Sequence, residues 1–194
     1  AMSRPDDAEA EAVFRSLIFS KYTNCPVYFV HISTEKALLL IATARNKGQK
    51  VWAETCPHYL LFDESRYKPA FDESAKYVMS PPLRQAHNCQ VLWDGLKNNS
   101  LSVLATDHCP FHYKGQKEKG KTDFTKIPNG VGSIEHRLQL SYTYGVLQEK
   151  ISMLQWVKLN ATNPAKLFGL YPQKGIIAEG SDADIVIWNP QLQH

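Results

Sequence analysis

Three residues of metal-ligand type, His31, His58 and Asp107, each lie at the end of an apolar, β-like run: PVYFVHIS, KVWAETCPHYL and SVLATDHCPF. Imidazole nitrogen and carboxylate oxygen suit zinc and similar divalent cations, and a catalytic site of this kind keeps a coordination position open for water. A single histidine among apolar residues is more often a hydrogen-bonded core residue than a ligand. Three such residues at three separate strand ends change that balance, because the ends of parallel strands share one rim, and a barrel gathers its site from ends that are far apart in sequence. Cys56 and Cys109 lie beside these residues and offer a competing reading as a nucleophile or an extra thiolate, although no charged partner in the sequence activates either. His108 and His112 are candidates for supporting or loop roles, and His87, His136 and His194 fall at positions expected on the surface.

The elements that would position these groups follow from periodicity. Residues 6 to 21 place Ala10, Val13, Phe14, Leu17 and Ile18 at helical spacing, with acids in the first turn where the helix dipole favours them. Pro26 opens VYFVHI, an almost continuously apolar run expected of a strand covered on both faces in a parallel sheet. Ser33 or Thr34 can cap the helix TEKALLLIATARNK, Gly48 stands where a C-terminal cap glycine belongs, and the strand QKVWAET follows. Together these make a βαβ unit, whose crossover is right-handed in nearly every case.

The cycle then recurs with variations. YVMS is a short apolar run stopped by the paired prolines of PPLR, NCQVLWDGLKNN reads as a helix, and SLSVLAT reads as a strand leading to Asp107. From His108 to Ser133 the chain is rich in lysine and glycine and is expected to be a long loop or lid, with the run KGQKEKGK as a solvated segment. SIEHRLQLSYTYGVLQEK and SMLQWVKLNAT read as helices, and NPAKLFGL as a turn or short helix. The tail KGIIAEGSDADIVIW changes to short β-runs between turns, with IVIW as a strand of a small β module.

Composition narrows the function classes. A chain of 194 residues that is 43% hydrophobic and 21% charged can bury a core, which excludes disorder. A formal charge of +3 without any nucleic-acid motif argues against a nucleic-acid partner. No apolar stretch approaches the ~18 residues needed to span a bilayer, so no membrane role is expected. The four cysteines show no CxxC spacing and read as free thiols of a reducing compartment, and the opening AMSRPDDAEAEA has no signal-peptide hydrophobic region, so a cytoplasmic location is the expectation.

The segments VHIST, AETCPHYLLFDE, MSPPLR, ATDHCPF, DFTKIPNG, NPAKLFGLYPQKG and GSDADIVIWNP, in this order, resemble the dihydropyrimidinase and hydantoinase branch of the cyclic amidohydrolases. The resemblance runs from Ser3 to about Pro190. It implies an α/β fold, a metal-dependent (β/α)8 barrel of the TIM type, and two divalent ions, zinc being the expected metal. In such enzymes the ions are held by a His-x-His pair from the first strand, a carbamylated lysine from the fourth, two later histidines and an aspartate from the eighth. His31 and His58 match the two later histidines, and Asp107 matches the aspartate, which is also the catalytic acid and base. Ser80 of MSPPLR and Asn129 of IPNG match positions that bind the amide edge of a small cyclic amide, largely through main-chain groups; on the residues alone, both read as turn chemistry beside proline and glycine.

The resemblance also implies what is missing. The sequence has no His-x-His pair and nothing matching the strand that carries the bridging lysine or the tyrosine that polarises the substrate carbonyl. A complete barrel takes ~250 residues. The expectation is therefore the C-terminal portion of a longer enzyme, about strands five to eight over residues 1–172 and the start of a C-terminal β module over 173–194, inactive as an isolated chain. The implied reaction opens a hydantoin or dihydropyrimidine ring to an N-carbamoyl amino acid. The alternatives are a non-catalytic relative of the collapsin response mediator type, which works as an assembly partner, and an allantoinase or dihydroorotase. IPNG and the KGQKEKGKTDF loop favour the hydantoinase side, and a homotetramer or dimer is expected from the family.

Overall fold

The computed structural model describes residues 3–191, so His194, expected at the surface, lies outside the described residues. Helix α1 (Asp6–Thr23) opens with Asp6, Asp7 and Glu9 in its first turn and closes on Asn24 in the left-handed region at φ 52°. Strand β1 (Val27–Phe29) follows, then α2 (Glu35–Asn46), β2 (Val51–Thr55), the short helix α3 (Pro57–Leu61), and a one-turn helix α4 (Phe71–Ser74). Helix α5 (Ala86–Lys97) leads to β3 (Val103–Leu104).

The three strands form a parallel sheet in the order β1-β2-β3, with Val27 opposite Val51 and Thr55 opposite Leu104. Backbone bonds from Ser102 N–H to the Ala53 carbonyl and from Ala105 N–H to the Thr55 carbonyl, 2.8 and 2.9 Å, extend the β3 pairing by a residue on each side. About four strands were expected and three are present among the described residues. YVMS forms none: the carbonyls of Lys76 and Val78 are engaged by groups of the 108–133 segment instead of a ladder, and Pro81 and Pro82 lack the donors a central strand needs.

Thr34 is the cap of α2, its hydroxyl accepting from Ala37 N–H, and Asn88 Oδ1 of α5 accepts from Glu35 N–H at 2.8 Å. Gly48 follows at φ 83°, as its position predicts. The core lies between the sheet and helices α2 and α5, with Ile41, Ala53, Leu83, Leu92, Leu96 and Leu104 fully buried. Of the apolar face of α1, Val13 and Leu17 are buried while Phe14 and Ile18 are exposed, because α2 and β1 cover only part of that stripe.

The later helices are shorter than the sequence predicts. Helix α6 (Arg137–Ser141) passes into a wide turn of i to i+5 type over Tyr142–Val146, where Gly145 lies so close under Trp93 that a Cβ would stand 2.8 Å from the indole. Helix α7 (Met153–Val157) passes through a second wide turn, Lys158–Thr162, into α8 (Asn163–Leu167). The tail forms no strand among the described residues: Ile185, Val186 and Ile187 are exposed and have no ladder partner, and a strand exists only by pairing. Trp188 nevertheless docks on Tyr142 and Trp156 with ring centroids 5.1 Å from each. Among the described residues no helix is long and apolar enough to cross a membrane, and all four cysteines are free thiols.

A buried ionic clasp joins three segments of this fold. The Glu9 carboxylate accepts from the N–H groups of Ser33 and Thr34 at 2.9 and 3.1 Å, and Arg84 Nη2 donates to it at 3.2 Å. Arg84, 7% exposed, also pairs with Asp6 at 3.3 Å and donates to the Arg4 carbonyl and the Ser33 hydroxyl. Removing one partner of a buried pair costs up to about 3–5 kcal/mol; in Glu9→Ala the Arg84 guanidinium keeps Asp6, while the N–H groups of Ser33 and Thr34 lose their acceptor. Glu9→Ala should lower the denaturant midpoint accordingly and Glu9→Gln by less, whereas an unchanged midpoint in Glu9→Ala would show that the clasp contributes nothing.

Candidate metal and substrate site

The parallel register brings the three strand ends to one rim. His31 lies two residues beyond β1, and Ile32 N–H donates to the Glu54 carbonyl while Thr55 Oγ1 donates to the Ile32 carbonyl, both at 2.8 Å, so the backbone at His31 is tied to β2. Asp107 lies three residues beyond β3. Both residues adopt left-handed backbone, φ 43° and 45°, a conformation uncommon outside glycine and concentrated at functional sites.

His58 departs from the expected position at a strand end. Pro57, pre-set for a first helical turn, starts α3, and His58 follows inside that helix. It is 4% exposed, and neither of its ring nitrogens has a hydrogen-bond partner. Its pKa falls from 6.5 to about 4, first because burial disfavours the charged ring and second because His31 is near. Its imidazole stacks edge-on against Tyr59, centroids 4.2 Å apart.

Asp107 adds to the upward shift of Cys56 and Tyr59, so its charge is felt in the turn after β2. Burial pushes the Cys56 thiol far up, with Glu54 and Asp107 adding to the effect, which removes Cys56 as a nucleophile. Cys109 is exposed, and Gly130 approaches it so closely that a Cβ there would meet the Cys109 carbonyl at 2.3 Å. Among the described residues no three His, Cys, Asp or Glu side chains come close enough together to hold an ion. The nearness that is present is pairwise, His31 with His58 and Asp107 with the Cys56–Tyr59 turn.

The segment beyond Asp107 folds back over the rim. Cys109 N–H donates to the Val131 carbonyl at 3.0 Å, and His108 Nδ1 accepts from the N–H groups of Ser133 and Ile134 at 3.0 and 3.1 Å, which places the ring proton on Nε2. The Ser133 hydroxyl donates to the Thr106 carbonyl. His108 therefore supports the Asp107 backbone from the next position, as its adjacency suggested.

Ser80 and Asn129 are exposed, and the backbone draws their segments together through a 3.0 Å bond from Gly130 N–H to the Val78 carbonyl. The Ser80 hydroxyl accepts from Arg4, and Asn129 Nδ2 donates weakly to the Ile127 carbonyl at 3.3 Å. A cleft of about 260 Å³ lies between these segments and α3, lined by His58, Phe62, Lys76, Tyr77, Val131 and Ser133 among others. It reaches Tyr77 on one side and Val131 on the other, but neither Ser80 nor Asn129.

Two functional placements escaped the sequence. Glu9 reads as a first-turn acid on α1, yet it caps the segment after His31. Lys117 falls in a lysine-rich run expected to be solvated, yet it is 2% exposed, and composition carries no signal that would single it out from Lys114, Lys119 or Lys121.

A family model described as the amidohydrolase family matches residues 27–194. The chain is 47% identical over 193 residues to a D-hydantoinase of Geobacillus stearothermophilus, an alignment spanning 100% of this chain and 41% of that protein. Among solved structures, the dihydropyrimidinase of Brevibacillus agri superimposes with TM-score 0.92 at 49% identity, covering 94% of this chain and 40% of that one. The D-hydantoinase of a Thermus species does so with TM-score 0.94 at 42% identity, covering 97% and 41%. The chain thus spans about two fifths of the length of the relatives it matches.

The buried imidazole gives a pH signature. Unfolded, His58 takes up its proton near 6.5, and folded near 4, so below 6.5 the unfolded state binds more protons and stability falls until pH 4 is passed. The loss approaches about 3 kcal/mol at 1.36 kcal/mol per pKa unit. In metal-free protein, His58→Gln should flatten the melting temperature between pH 6.5 and 4 relative to the unaltered protein; parallel pH profiles for the two would mean the ring is hydrogen-bonded and hydrated.

Proposed function

The chain belongs to the amidohydrolase family, on its dihydropyrimidinase and D-hydantoinase branch, and from that premise we propose that it supplies part of the active site of a metal-dependent cyclic amide hydrolase that opens a hydantoin or dihydropyrimidine ring to an N-carbamoyl amino acid. The observation that carries this reading is His58: a buried imidazole with two unpartnered nitrogens, beside His31, on the rim where β1, β2 and β3 end. A buried polar group without a partner costs free energy unless something satisfies it, and a neutral imidazole is the form that binds a metal.

In this reading residues 1–172 are the part of a (β/α)8 barrel from about strand five to strand eight, and 173–194 begin a β module. His31, His58 and Asp107 would hold divalent metal, zinc being the expected ion, with the remaining ligands supplied from outside this chain. When bound, such ions make hydroxide available near neutral pH and polarise the amide carbonyl.

The chain's own residues do the rest. Asp107 takes the proton from the attacking water and passes it to the ring nitrogen as the C–N bond breaks, serving first as base and then as acid. Its left-handed backbone is held by the ties of Thr106, His108 and Cys109 to residues 131–134, which fix where the carboxylate stands. Main-chain groups at Ser80 and Asn129 hold the amide edge of the ring, and the bond between Gly130 and Val78 keeps the two segments at a constant separation. The burial of Cys56 excludes a thiolate from competing as nucleophile. A cytoplasmic location and assembly as a homodimer or homotetramer complete the proposal.

The test uses the whole encoded polypeptide, with metal content and ring opening of hydantoin and dihydrouracil measured together. His31→Ala should reduce bound metal, and Asp107→Asn should lower kcat by at least about 10²–10⁴, the range of general acid–base catalysis, with both variants folded. Loss of folding at unchanged metal content would make His31 a core residue and overturn the reading.

A further inference from the structure

Of the lysines in the lysine-rich run of the long segment, Lys117 alone is buried, while Lys114, Lys119 and Lys121 are exposed. Its Nζ donates to the carbonyls of Val78 and Lys76 at 2.8 and 3.2 Å. The partners are main-chain oxygens rather than carboxylates, and burial lowers the pKa of the ammonium from 10.5 to about 8. An apolar side chain would fill the same space without that desolvation. What lysine adds is two directed, charge-assisted hydrogen bonds.

The place those bonds reach is specific. The Val78 carbonyl also accepts from Gly130 N–H at 3.0 Å, so both halves of the 108–133 segment meet at one backbone oxygen. That oxygen lies two residues before Ser80 and is bonded to the residue after Asn129. Gly130 itself has no room for a side chain, at φ 149° and with the Cys109 carbonyl 2.3 Å from where a Cβ would be. Gly120, in the same turn as Lys117, is pressed against Ile127, where a Cβ would stand at 1.9 Å. The geometry is a three-way joint of Lys117, Val78 and Gly130.

We propose that Lys117 is a positioning residue, whose buried ammonium holds the backbone entering Ser80 against the backbone leaving Asn129 and so sets where the substrate's amide edge is gripped. This rests on the reading that main-chain groups at Ser80 and Asn129 hold the ring. It assigns a role in the site to a side chain that touches neither substrate nor metal.

The test compares Lys117→Met, which keeps the length of the side chain, and Lys117→Arg, which restores donors to the carbonyls, in the whole encoded polypeptide. Hydrogen bonds from a charged group are worth ~1.5–3 kcal/mol, so Lys117→Met should raise KM for dihydrouracil about tenfold or more, with kcat within about threefold. Metal content should stay unchanged, Lys117→Arg should recover most of the KM, and amide hydrogen exchange in peptides covering 76–80 and 127–133 should accelerate in Lys117→Met. An unchanged KM in an active enzyme would overturn the proposal even if exchange accelerates, because Lys117 would then anchor the segment without placing the substrate. A matched loss of metal and kcat would overturn it too, by showing that the disturbance reaches the metal ligands. If the unaltered polypeptide opens no cyclic amide, the functional reading fails, and unchanged exchange in Lys117→Met would then remove the joint itself.

Discussion

Parallel pairing of β1 with β2 and of β2 with β3 sends all three strands toward the same rim, and every chemical feature of the molecule hangs on that direction. His31 follows β1, the Cys56–Tyr59 turn follows β2, and Asp107 follows β3. The ladder does not stop where the strands do. Ile32 stays bonded to Glu54, and Ala105 to Thr55, so the residues that turn into left-handed backbone do so from anchored positions. Strain of that kind persists only where its surroundings over-determine it, and here those surroundings are the sheet on one side and the returning 131–134 segment on the other.

Around this rim the buried polar groups divide into two kinds. Glu9, Arg84 and Lys117 are satisfied: each is aimed at several partners, and each binds together segments remote in sequence. His58 differs: it lines the cleft beside α3 with both nitrogens free, whereas Ser102, Gln139, Asn160 and Trp188, the other such residues among those described, each leave one atom without a partner. The satisfied groups explain how the loops carrying Ser80, Asn129 and the His31 turn hold their places. That pair of free nitrogens is what the proposed role of His58 as a metal ligand would account for.

Much of this was legible in the sequence because the signals were local. Thr34 and Gly48 mark the ends of α2, and the apolar runs mark β1 and β2, although β1 is only half-buried and Val30 beyond it is exposed, so the run VYFVHI is not covered on both faces as expected. What was not legible depends on distant partners. IVIW has the composition of a strand and no neighbour to pair with among the described residues, and YVMS spends its carbonyls on Lys117 and Gly130. The helix expected over 133–150 passes into a wide turn at Tyr142–Val146, where Gly145, lacking a Cβ, leaves room for Trp93 from about fifty residues earlier. Lys117 was misplaced for the same reason, since its burial is decided by carbonyls near residue 77. Of the candidate site, His31 and Asp107 stand at strand ends as their spacing predicts, whereas the closeness of the Ser80 and Asn129 segments appears only in the fold.

The central claim is that the unpartnered imidazole of His58 is a metal ligand, and anomalous diffraction at the zinc edge from crystals of the whole encoded polypeptide tests it most directly. The account predicts an anomalous peak about 2.0–2.1 Å from one ring nitrogen of His58, the usual zinc to imidazole distance, with His31 or Asp107 in the same coordination sphere. A metal-loaded crystal with no peak at His58, its two nitrogens instead hydrogen-bonded to ordered water or protein, would contradict it.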